Sequence, residues 1–428
     1  MQWSPQQDAA LIAFRRWFNG SFCASDPVFL LFGYAGTGKS TLAKFLAQEV
    51  GGHVCFAAYT GKASCVMRKM GCRGATTVHG LIYISQEKPD ERVTELARRL
   101  SELDADSMEA EELRYELEQE KKRCYAPSYR LREEDDVFSI RVGDEGEEEE
   151  YSYEKRGADI FNASLIIVDE VSMVNEKMGR DLLSFGKPIL VLGDPMQLPP
   201  IEGGGFFTKR TPHVELTEIH RQARDNPIID LATRVRLGET LSLGTYGKSR
   251  VVTLRDIESS ALVNYDQVLV WTNRKRSEEN KRMRLLLGHE RPYPEHGEKL
   301  VCLRNNHRLG LLNGALWMTK GNARENDKDS VLVTVVPTDE GFYERQTAAW
   351  KLPFEGHGKQ MMLMPYQQRV RFNEFDYGYA LTVHKAQGSQ FESVLLFDEY
   401  PDDGDCRANW LYTGITRAVD RIDIVKMG

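Results

Sequence analysis

The sequence has little that marks an exported or membrane-spanning protein. Its seven cysteines are odd in number, scattered over 428 residues and without a CxxC pair, so we interpret them as reduced thiols rather than as disulfides or zinc ligands. No uninterrupted apolar run reaches about 18 residues, the length that a membrane-spanning helix needs. The N-terminal stretch MQWSPQQDAA lacks a basic region followed by an apolar one, so we predict no signal peptide and no membrane partner.

An excess of positive charge, the usual mark of a nucleic-acid-binding chain, is also missing, because the net charge is −8 at pH 7. The charge is unevenly distributed, however. Residues 85–159 hold 25 acidic and 13 basic side chains, a net charge of −12, which leaves +4 for all other residues. The acidity therefore belongs to one segment, and the whole-chain charge does not exclude nucleic acid as a partner of the remainder.

What the chain does contain is a phosphate-binding pattern. In VFLLFGYAGTGKSTLAKFLAQEV (28–50), an apolar strand leads into G-x-x-x-x-G-K-S and then into an amphipathic helix, which is the setting of a Walker A loop. Glycines let backbone N–H groups surround phosphates, and the helix N-terminus favours the anion. We expect Lys39 to reach the β- and γ-phosphates and the Ser40 hydroxyl to bind Mg²⁺. The predicted nucleotide-binding residues of this loop are Gly33, Gly36, Thr37, Gly38, Lys39, Ser40 and Thr41.

Two later apolar strands end in polar residues that suit nucleotide hydrolysis. SLIIVDEVSM (164–173) ends in an Asp-Glu pair, in which Asp169 is predicted to hold Mg²⁺ and Glu170 to activate the attacking water as general base. PILVLGDPMQLPP (188–200) places Gln197 just beyond its strand, where it could contact the γ-phosphate or the water. These patterns predict ATP and Mg²⁺ as ligands.

Taken in order, these motifs resemble those of superfamily 1 helicases. The nearest group is the 5′→3′ branch, superfamily 1B, which includes RecD and the phage helicase Dda. The segment AAYTGKAS (57–64) resembles motif Ia, which this branch writes as A-x-T-x-x-A-A. It departs slightly from that pattern, because it ends in Ala63-Ser64 rather than in two alanines. The further matching segments are WSPQQDAAL near the start, AAYTGKAS (57–64), TTVHGLI (76–82), LTEIHRQ (216–222), YALTVHKAQGSQF (379–391) and LYTGITRAVDR (411–421).

This resemblance implies an α/β fold of two tandem RecA-like P-loop lobes with inserted subdomains. Lobe one would comprise residues 1–83 and 160–225, and lobe two residues 226–294 and 375–428. Local patterns agree, because apolar strands alternate with a helix and so indicate a parallel sheet. The strands predicted for lobe one are 28–32, 53–58, 164–168 and 188–193, with a helix over 39–49. In lobe two we predict a strand and a long basic helix within 266–288 and strands at 393–399 and 421–427.

The first predicted insertion, residues 84–159, is the acidic segment. A leucine stripe predicts an αα-hairpin within 91–123, with Ser107 near the N-cap of the second helix, and 137–155 reads as a β-hairpin. Related helicases carry a duplex-splitting pin here, but a solvent-exposed insert without a role in unwinding remains an equal alternative. An acidic tip at Glu147–Glu150 would repel phosphate, which argues against direct DNA contact there. The insert could instead recruit a single-strand-binding protein or a replisome partner. The predicted stripe is Leu96, Leu100, Leu103, Leu113 and Leu117.

The second predicted insertion, residues 295–374, reads as short strands separated by Gly/Asn turns. It resembles the SH3-like β-barrel that these helicases insert before motif V, which YALTVHKAQGSQF (379–391) resembles here. Such a barrel could close over a single strand or serve a purely structural role.

The resemblance also assigns roles to side chains. Arg221 and Arg417 would act as arginine fingers that stabilise charge developing on the γ-phosphate. Gln7 would lie near the adenine, while Gly388 and Gln390 would face the nucleotide. The predicted catalytic set is Lys39, Glu170, Gln197, Arg221 and Arg417; the predicted DNA-binding set is Thr60, Lys62, Thr77, His79, Thr382 and His384, with Lys385 as a possible addition.

The function that this resemblance implies is an ATP-dependent DNA helicase that moves 5′→3′ on single-stranded DNA and unwinds duplexes. We expect a monomer in the cytoplasm of a bacterial cell or phage-infected host, with single-stranded DNA and single-strand/duplex junctions as partners. Two alternatives remain open: an RNA helicase of the same superfamily, and a nucleotide-dependent loader or scaffold subunit. No carboxylate cluster with nuclease spacing occurs outside the ATP site, which argues against a nuclease.

Overall fold

The structure of the chain is a computed structural model. It describes residues 3–20, 26–86, 160–199, 205–218, 226–306, 309–338, 343–364, 366–401 and 406–427. Between 87 and 159 it describes residues 96, 99, 100, 113, 115, 116, 128–131, 138–141 and 153–156. No helix within these described residues is both long enough and apolar enough to cross a membrane.

The described part of the chain alternates strands with helices. The helices are α1 Pro5–Asn19, α2 Lys39–Val50, α3 Gly61–Lys69, α4 Val78–Ile82, α5 Glu176–Leu183, α6 Pro227–Arg236, α7 Asn273–Leu286, α8 Gly358–Met362, α9 Tyr366–Arg369 and α10 Arg407–Ile415. The strands are β1 Val28–Gly33, β2 His53–Ala58, β3 Thr76–Thr77, β4 Tyr83–Gln86, β5 Ser128–Leu131, β6 Phe138–Arg141, β7 Tyr153–Arg156, β8 Ala163–Asp169, β9 Ile189–Gly193, β10 Val214–Leu216, β11 Gly244–Tyr246, β12 Ser249–Thr253, β13 Gln267–Val270, β14 Lys299–Cys302, β15 Leu316–Thr319, β16 Arg324–Glu325, β17 Ser330–Pro337, β18 Arg345–Trp350, β19 Phe375–Tyr377, β20 Ala380–Thr382, β21 Phe391–Asp398 and β22 Ala418–Lys426.

The first sheet has six parallel strands in the order β10-β1-β9-β8-β2-β3. Its central strands β1 and β9 are buried along their whole length, which explains why they read as continuous apolar runs. All four strands predicted for lobe one are present, and the predicted helix over 39–49 is α2. The α2 helix ends at Val50 and is followed by Gly51 and Gly52, whose φ angles of 66° and 71° suit glycine but few other residues.

The second sheet also has six strands, in the order β11-β12-β22-β21-β13-β20, and only the β11–β12 pair is antiparallel. The predicted strand and basic helix within 266–288 are β13 and α7. The strands predicted at 393–399 and 421–427 are β21 and β22, which begin two and three residues earlier than predicted. The prediction of an α/β fold with two largely parallel sheets is confirmed.

A third, antiparallel sheet has the order β16-β17-β15-β14-β19, with β18 paired to β17. It contains most of the segment predicted as the second insertion. Its edge strand β19 lies within the residues predicted for lobe two, yet it pairs with β14 through Val301 and Asp376. The domain boundaries drawn from the sequence stay predictions.

The acidic insertion is described in part. Strands β6 and β7 pair antiparallel, as the predicted β-hairpin over 137–155 requires, and β4 pairs with β5. Leu96, Leu100 and Leu113 are helical, but most of the predicted αα-hairpin and the Glu147–Glu150 tip lie outside the described residues.

A buried ion pair joins α7 to the antiparallel sheet. Glu298, which is 0% exposed, directly precedes β14 and accepts from the Arg284 guanidinium at 2.6 Å on Oε1 and 3.0 Å on Oε2. The Tyr379 hydroxyl also donates to Glu298, at 3.3 Å. A bidentate pair of this kind is stable only while both charges are present, because either one alone would be buried without compensation.

We therefore expect Arg284→Met to lower the free energy of unfolding by about 3–5 kcal/mol, because it leaves the Glu298 carboxylate buried and uncompensated. The measurement is urea unfolding followed by tryptophan fluorescence, since the buried Trp317 lies in the same sheet. Arg274→Met is the matched control, because Arg274 lies on the same helix in an exposed pair with Glu278, and it should cost less than about 0.5 kcal/mol. Equal effects of the two substitutions would contradict this account.

Candidate functional site

The candidate site lies where three neighbouring strands of the first sheet end. In the order β1-β9-β8, the carboxyl ends carry the phosphate loop after Gly33, Asp194 after β9, and the Asp169-Glu170 pair at the end of β8. Parallel strands bring their carboxyl ends to one edge, where ligands of open α/β sheets bind. The motifs that the sequence analysis treated separately are thus brought together.

The phosphate loop has the backbone that its glycines predict. Gly36 and Gly38 have φ angles of 78° and 79°, a region that disfavours other residues. A Cβ atom at Gly33 would lie 2.8 Å from Thr37 Oγ1, so the close turn also requires glycine there. The Lys39 ammonium folds back over the loop and donates to the carbonyl oxygens of Gly33, at 2.5 Å, and Tyr34, at 3.0 Å. Thr41 lies on the exposed side of α2.

Ser40 and Asp169 face each other across the edge of the sheet. The Ser40 hydroxyl donates to Asp169 Oδ2 at 3.4 Å, and Asp169 Oδ1 accepts from the Glu170 amide at 2.8 Å. Burial, with the neighbouring Glu170 charge, raises the pKa of Asp169 to about 6, while Lys39 and the hydrogen bonds oppose this rise. A hydroxyl and a carboxylate at this separation are oxygen ligands of the kind that Mg²⁺ prefers.

Glu170 has an unusual backbone conformation. Its φ and ψ are 55° and 43°, and it is the only non-glycine residue with positive φ in the described ranges. A left-handed conformation costs a residue with a side chain roughly 1–2 kcal/mol, and strain of this kind concentrates at functional sites. The conformation turns the chain sharply after β8 and holds the Glu170 side chain beside the Asp169 carboxylate.

Gln7 is tied to the phosphate loop. Its Nε2 donates to the Thr37 carbonyl at 3.1 Å, and its Oε1 accepts from the Ser4 amide at 3.1 Å in a capping box at the start of α1. Gln7 is 2% exposed, so the amide is locked in this arrangement. The neighbouring Gln6 instead accepts from the amides of Thr217 and Glu218 at 2.8 and 2.9 Å. The predicted adenine contact of Gln7 stays a prediction, but the described contacts give it a role in holding the loop.

Lobe two packs against the segment that follows β9. Asn409 and Thr413 on α10 bond to Met196 O and Leu198 N at 3.2 and 3.0 Å. From the turn after β20, Gln387 Nε2 donates to Leu198 O at 3.0 Å. Tyr412, also on α10, bonds to Asp194 and to the Ala35 amide. We call residues 194–198 the clasp segment, because side chains from the second sheet's lobe hold it at four points.

Two amide oxygens in this contact stand without a partner. Within the described part of the chain, Gln197 Oε1 and Gln387 Oε1 are buried and accept no hydrogen bond. Buried polar atoms in folded proteins are nearly always hydrogen-bonded, either to the protein or to ordered water. Gln197 was predicted to contact the γ-phosphate or the attacking water, and its open oxygen is consistent with that prediction.

The structure describes only one of the two predicted arginine fingers. Arg221 lies outside the described residues. Arg417 follows α10 and is 5% exposed, and its guanidinium donates to Thr413 O at 3.1 Å, Ser389 O at 3.2 Å and Thr416 Oγ1 at 3.1 Å. All three acceptors belong to lobe two, so reaching a γ-phosphate would require Arg417 to leave these partners. Its catalytic role stays a prediction.

The first part of the predicted DNA-binding set lies at the contact between the lobes. Thr60 caps α3 by accepting from Ala63 N at 3.1 Å, and the Lys62 ammonium lies 4.9 Å from the centre of the Phe391 ring. Gly388 has a φ of 72°, and a Cβ atom there would come within 2.7 Å of Thr60 Oγ1. The predicted nucleotide residue Gly388 and the predicted DNA residue Thr60 therefore touch. Gln390, two residues on, is exposed.

The remaining predicted DNA-binding residues lie in or next to the short elements α4 and β20. Thr77 caps α4 by accepting from Gly80 N at 3.0 Å, and the His79 ring lies 4.8 Å from that of Tyr83. Thr382 ends β20 and accepts from Lys385 N at 3.3 Å. Burial lowers the pKa of both His384 and Lys385, which favours a neutral imidazole.

Sequence reasoning missed several residues of this contact. Asp194, Asn409, Tyr412 and Thr413 lie inside or beside quoted motifs, and none was assigned a role. The signal was available in part, because a carboxylate directly after a buried parallel strand lies at the ligand-binding edge. The partners of Tyr412, by contrast, become visible only in the fold.

Comparison with known proteins adds to this geometry. The family model described as an AAA domain matches residues 18–256, more than half of the chain. The model of the UvrD-like helicase C-terminal domain matches residues 377–422, which include the turn after β20 and all of α10.

The chain is similar to the ATP-dependent RecD2 DNA helicase of Deinococcus radiodurans, at 29% identity over 287 residues that cover 60% of this chain and 35% of that protein. It is also similar to the ATP-dependent DNA helicase dda of Enterobacteria phage T4, at 27% identity over 222 residues, 48% of this chain and 37% of that protein. The chain thus spans little more than a third of each of these relatives. A solved structure that concerns DNA unwinding at forked duplex DNA by two coordinating Pif1 helicases matches with a TM-score of 0.50 and 16% identity, covering 99% of this chain and 92% of that one; this likeness shows the fold alone.

The Gln7 contact gives a prediction that separates two roles. Gln7→Ala should weaken the binding of fluorescent ATP and GTP analogues by the same factor, about 2- to 10-fold, because it releases the Thr37 carbonyl without removing a base contact. Gln6→Ala is the matched control, since it alters the neighbouring position of α1 but leaves the loop bonded, and should change affinity less. A loss confined to ATP would show that Gln7 reads the adenine instead.

Proposed function

We propose that the chain, which belongs to the AAA-domain family, is an ATP-dependent DNA helicase of superfamily 1B, of the RecD and Dda type. It hydrolyses ATP between its two lobes, moves 5′→3′ on single-stranded DNA and unwinds duplexes. The observation that carries the proposal is the contact between the edge of the first sheet and lobe two. Residues that bind the nucleotide must contact the lobe that moves if hydrolysis is to drive movement.

The ATP site is built from the edge of the first sheet. The phosphate loop from Gly33 to Thr41 binds the phosphates, with Lys39 releasing its loop carbonyls to pair with the β- and γ-oxygens. Ser40 and Asp169 would hold Mg²⁺, which would supply charge neutralisation to the phosphates. Glu170 accepts a proton from the attacking water, and Gln197 orients that water through its unsatisfied oxygen.

The DNA grip follows from contacts on both lobes. On lobe one it comprises Thr60 and Thr77, whose hydroxyl groups lie at the N-terminal ends of α3 and α4. On lobe two it comprises Thr382 and His384 at the end of β20. These groups suit the sugar-phosphate backbone, so binding is expected to be largely independent of sequence and to weaken with salt.

The two predicted insertions, residues 295–374 and 84–159, are assigned separate roles. The antiparallel sheet serves as the SH3-like subdomain that closes over the single strand; the chain enters this sheet at β14, after α7, and leaves it through β19, directly before β20. The segment 84–159, with its net charge of −12, serves as a protein-recruiting or duplex-splitting insert. An acidic surface favours a basic protein partner over a phosphate backbone.

The direct test is steady-state ATPase activity with and without single-stranded DNA. Turnover should rise at least about tenfold with poly-dT, because DNA held by both lobes favours the closed, hydrolysing arrangement. Lys39→Ala should abolish turnover in both conditions, since it removes the charge that pairs with the transferred phosphoryl group.

A turnover rate that is the same with and without DNA would contradict the helicase and favour the loader or scaffold alternative. Poly-U is the matched polymer, because it shares the phosphate backbone and differs in the sugar and the thymine methyl group. Stimulation by poly-U that equals or exceeds that by poly-dT would point to RNA as the substrate.

A further inference from the structure

Tyr412 occupies a position in the site that its sequence context does not reveal. It is 1% exposed on α10, and its hydroxyl accepts from the Ala35 amide of the phosphate loop at 2.9 Å. The same hydroxyl donates to Asp194 Oδ2 at 2.8 Å. One oxygen atom from lobe two therefore links the phosphate loop to the clasp segment within lobe one.

We propose that Tyr412 is the positioning residue through which lobe two sets the geometry of the phosphate loop during DNA-stimulated hydrolysis. The proposal rests on the proposed helicase function. Movement of α10 away from the first sheet must break both bonds, because the Ala35 amide and Asp194 Oδ2 both belong to lobe one. The two bonds of Tyr412 thus couple the position of lobe two to the geometry of the phosphate loop.

The hydrogen bond from Tyr412 also affects the pKa of the Asp194 carboxyl group. Burial raises the pKa of Asp194, while the nearby Lys39 charge, the Tyr412 hydroxyl and the Met196 amide lower it. Asp194 also interacts with Glu170, the predicted general base. Losing the Tyr412 bond would remove one of the groups that keep this carboxylate charged, and would change the field at Lys39 and Glu170.

The other contacts from lobe two define what is particular to Tyr412. Asn409, Thr413 and Gln387 bond to the backbone of Met196 and Leu198, and they hold the clasp segment. Among these four described side chains, Tyr412 is the one that also bonds to the phosphate loop. Burial raises the pKa of its hydroxyl well above the usual range, so it stays protonated and can donate to Asp194 at neutral pH.

The test is Tyr412→Phe, which keeps the buried ring and removes only the hydroxyl. With saturating poly-dT, kcat should fall about 10- to 100-fold, because a half-buried amide and a buried carboxylate each lose a partner. KM for ATP should change less than about threefold, since phosphate contacts are retained, and the ratio of DNA-stimulated to basal turnover should fall. Asn409→Ala is the matched control, because it removes a bond to the clasp segment from the same helix but leaves the phosphate loop bonded, and its stimulation ratio should fall by a smaller factor than that of Tyr412→Phe.

Asp194→Asn approaches the same contact from the other side and completes a double-mutant cycle. If the two residues act through one bond, the double variant should be no slower than the slower single variant. Effects on kcat that multiply would overturn the proposal, and so would an unchanged stimulation ratio in Tyr412→Phe. If Tyr412→Phe does not fold, a normal stimulation ratio in Asp194→Asn overturns it. A lack of DNA stimulation in the unsubstituted protein would instead contradict the proposed function itself.

Discussion

The contact between the clasp segment and lobe two is the constraint on which the candidate site depends. The first sheet alone supplies the phosphate loop, Asp169 and Asp194, but all of them lie at one edge that would otherwise face solvent. Side chains of α10 and of the turn after β20 cover that edge by bonding to the backbone of residues 194–198. A change in the geometry of this edge must therefore displace lobe two, because the two parts share hydrogen bonds rather than loose packing.

The turn after β20 extends this constraint toward the proposed DNA grip. Within a few residues the chain passes from Thr382 and His384, through Gln387 on the clasp segment, to Gly388 against Thr60. Replacing Gly388 by a larger residue would strain its backbone and push α3 away. One short segment thus contacts parts of the molecule that would hold different ligands, which is the arrangement that coupling of hydrolysis to movement requires.

The sequence predicted the parts of the fold that local chemistry determines. Continuous apolar runs such as Leu165–Val168 read as buried parallel strands, and the glycine spacing of the phosphate loop predicted α2. Pairings over long distances could not be predicted in this way. The Tyr412 hydroxyl forms hydrogen bonds with residues 377 and 218 positions away in the sequence. In a helix as buried as α10, the sequence pattern predicts only that a tyrosine belongs to the hydrophobic core. The left-handed backbone of Glu170 and the pairing of β19 with β14 likewise depend on the assembled fold.

The central claim is that nucleotide hydrolysis at this edge drives directional movement along one DNA strand. The most direct measurement is strand displacement on duplexes that carry a single-stranded tail at either the 5′ or the 3′ end, with ATP and with Lys39→Ala as control. We predict displacement of the 5′-tailed duplex, little of the 3′-tailed one and none by the Lys39→Ala variant. Displacement of the 3′-tailed duplex alone, or displacement that does not need ATP, would contradict the account.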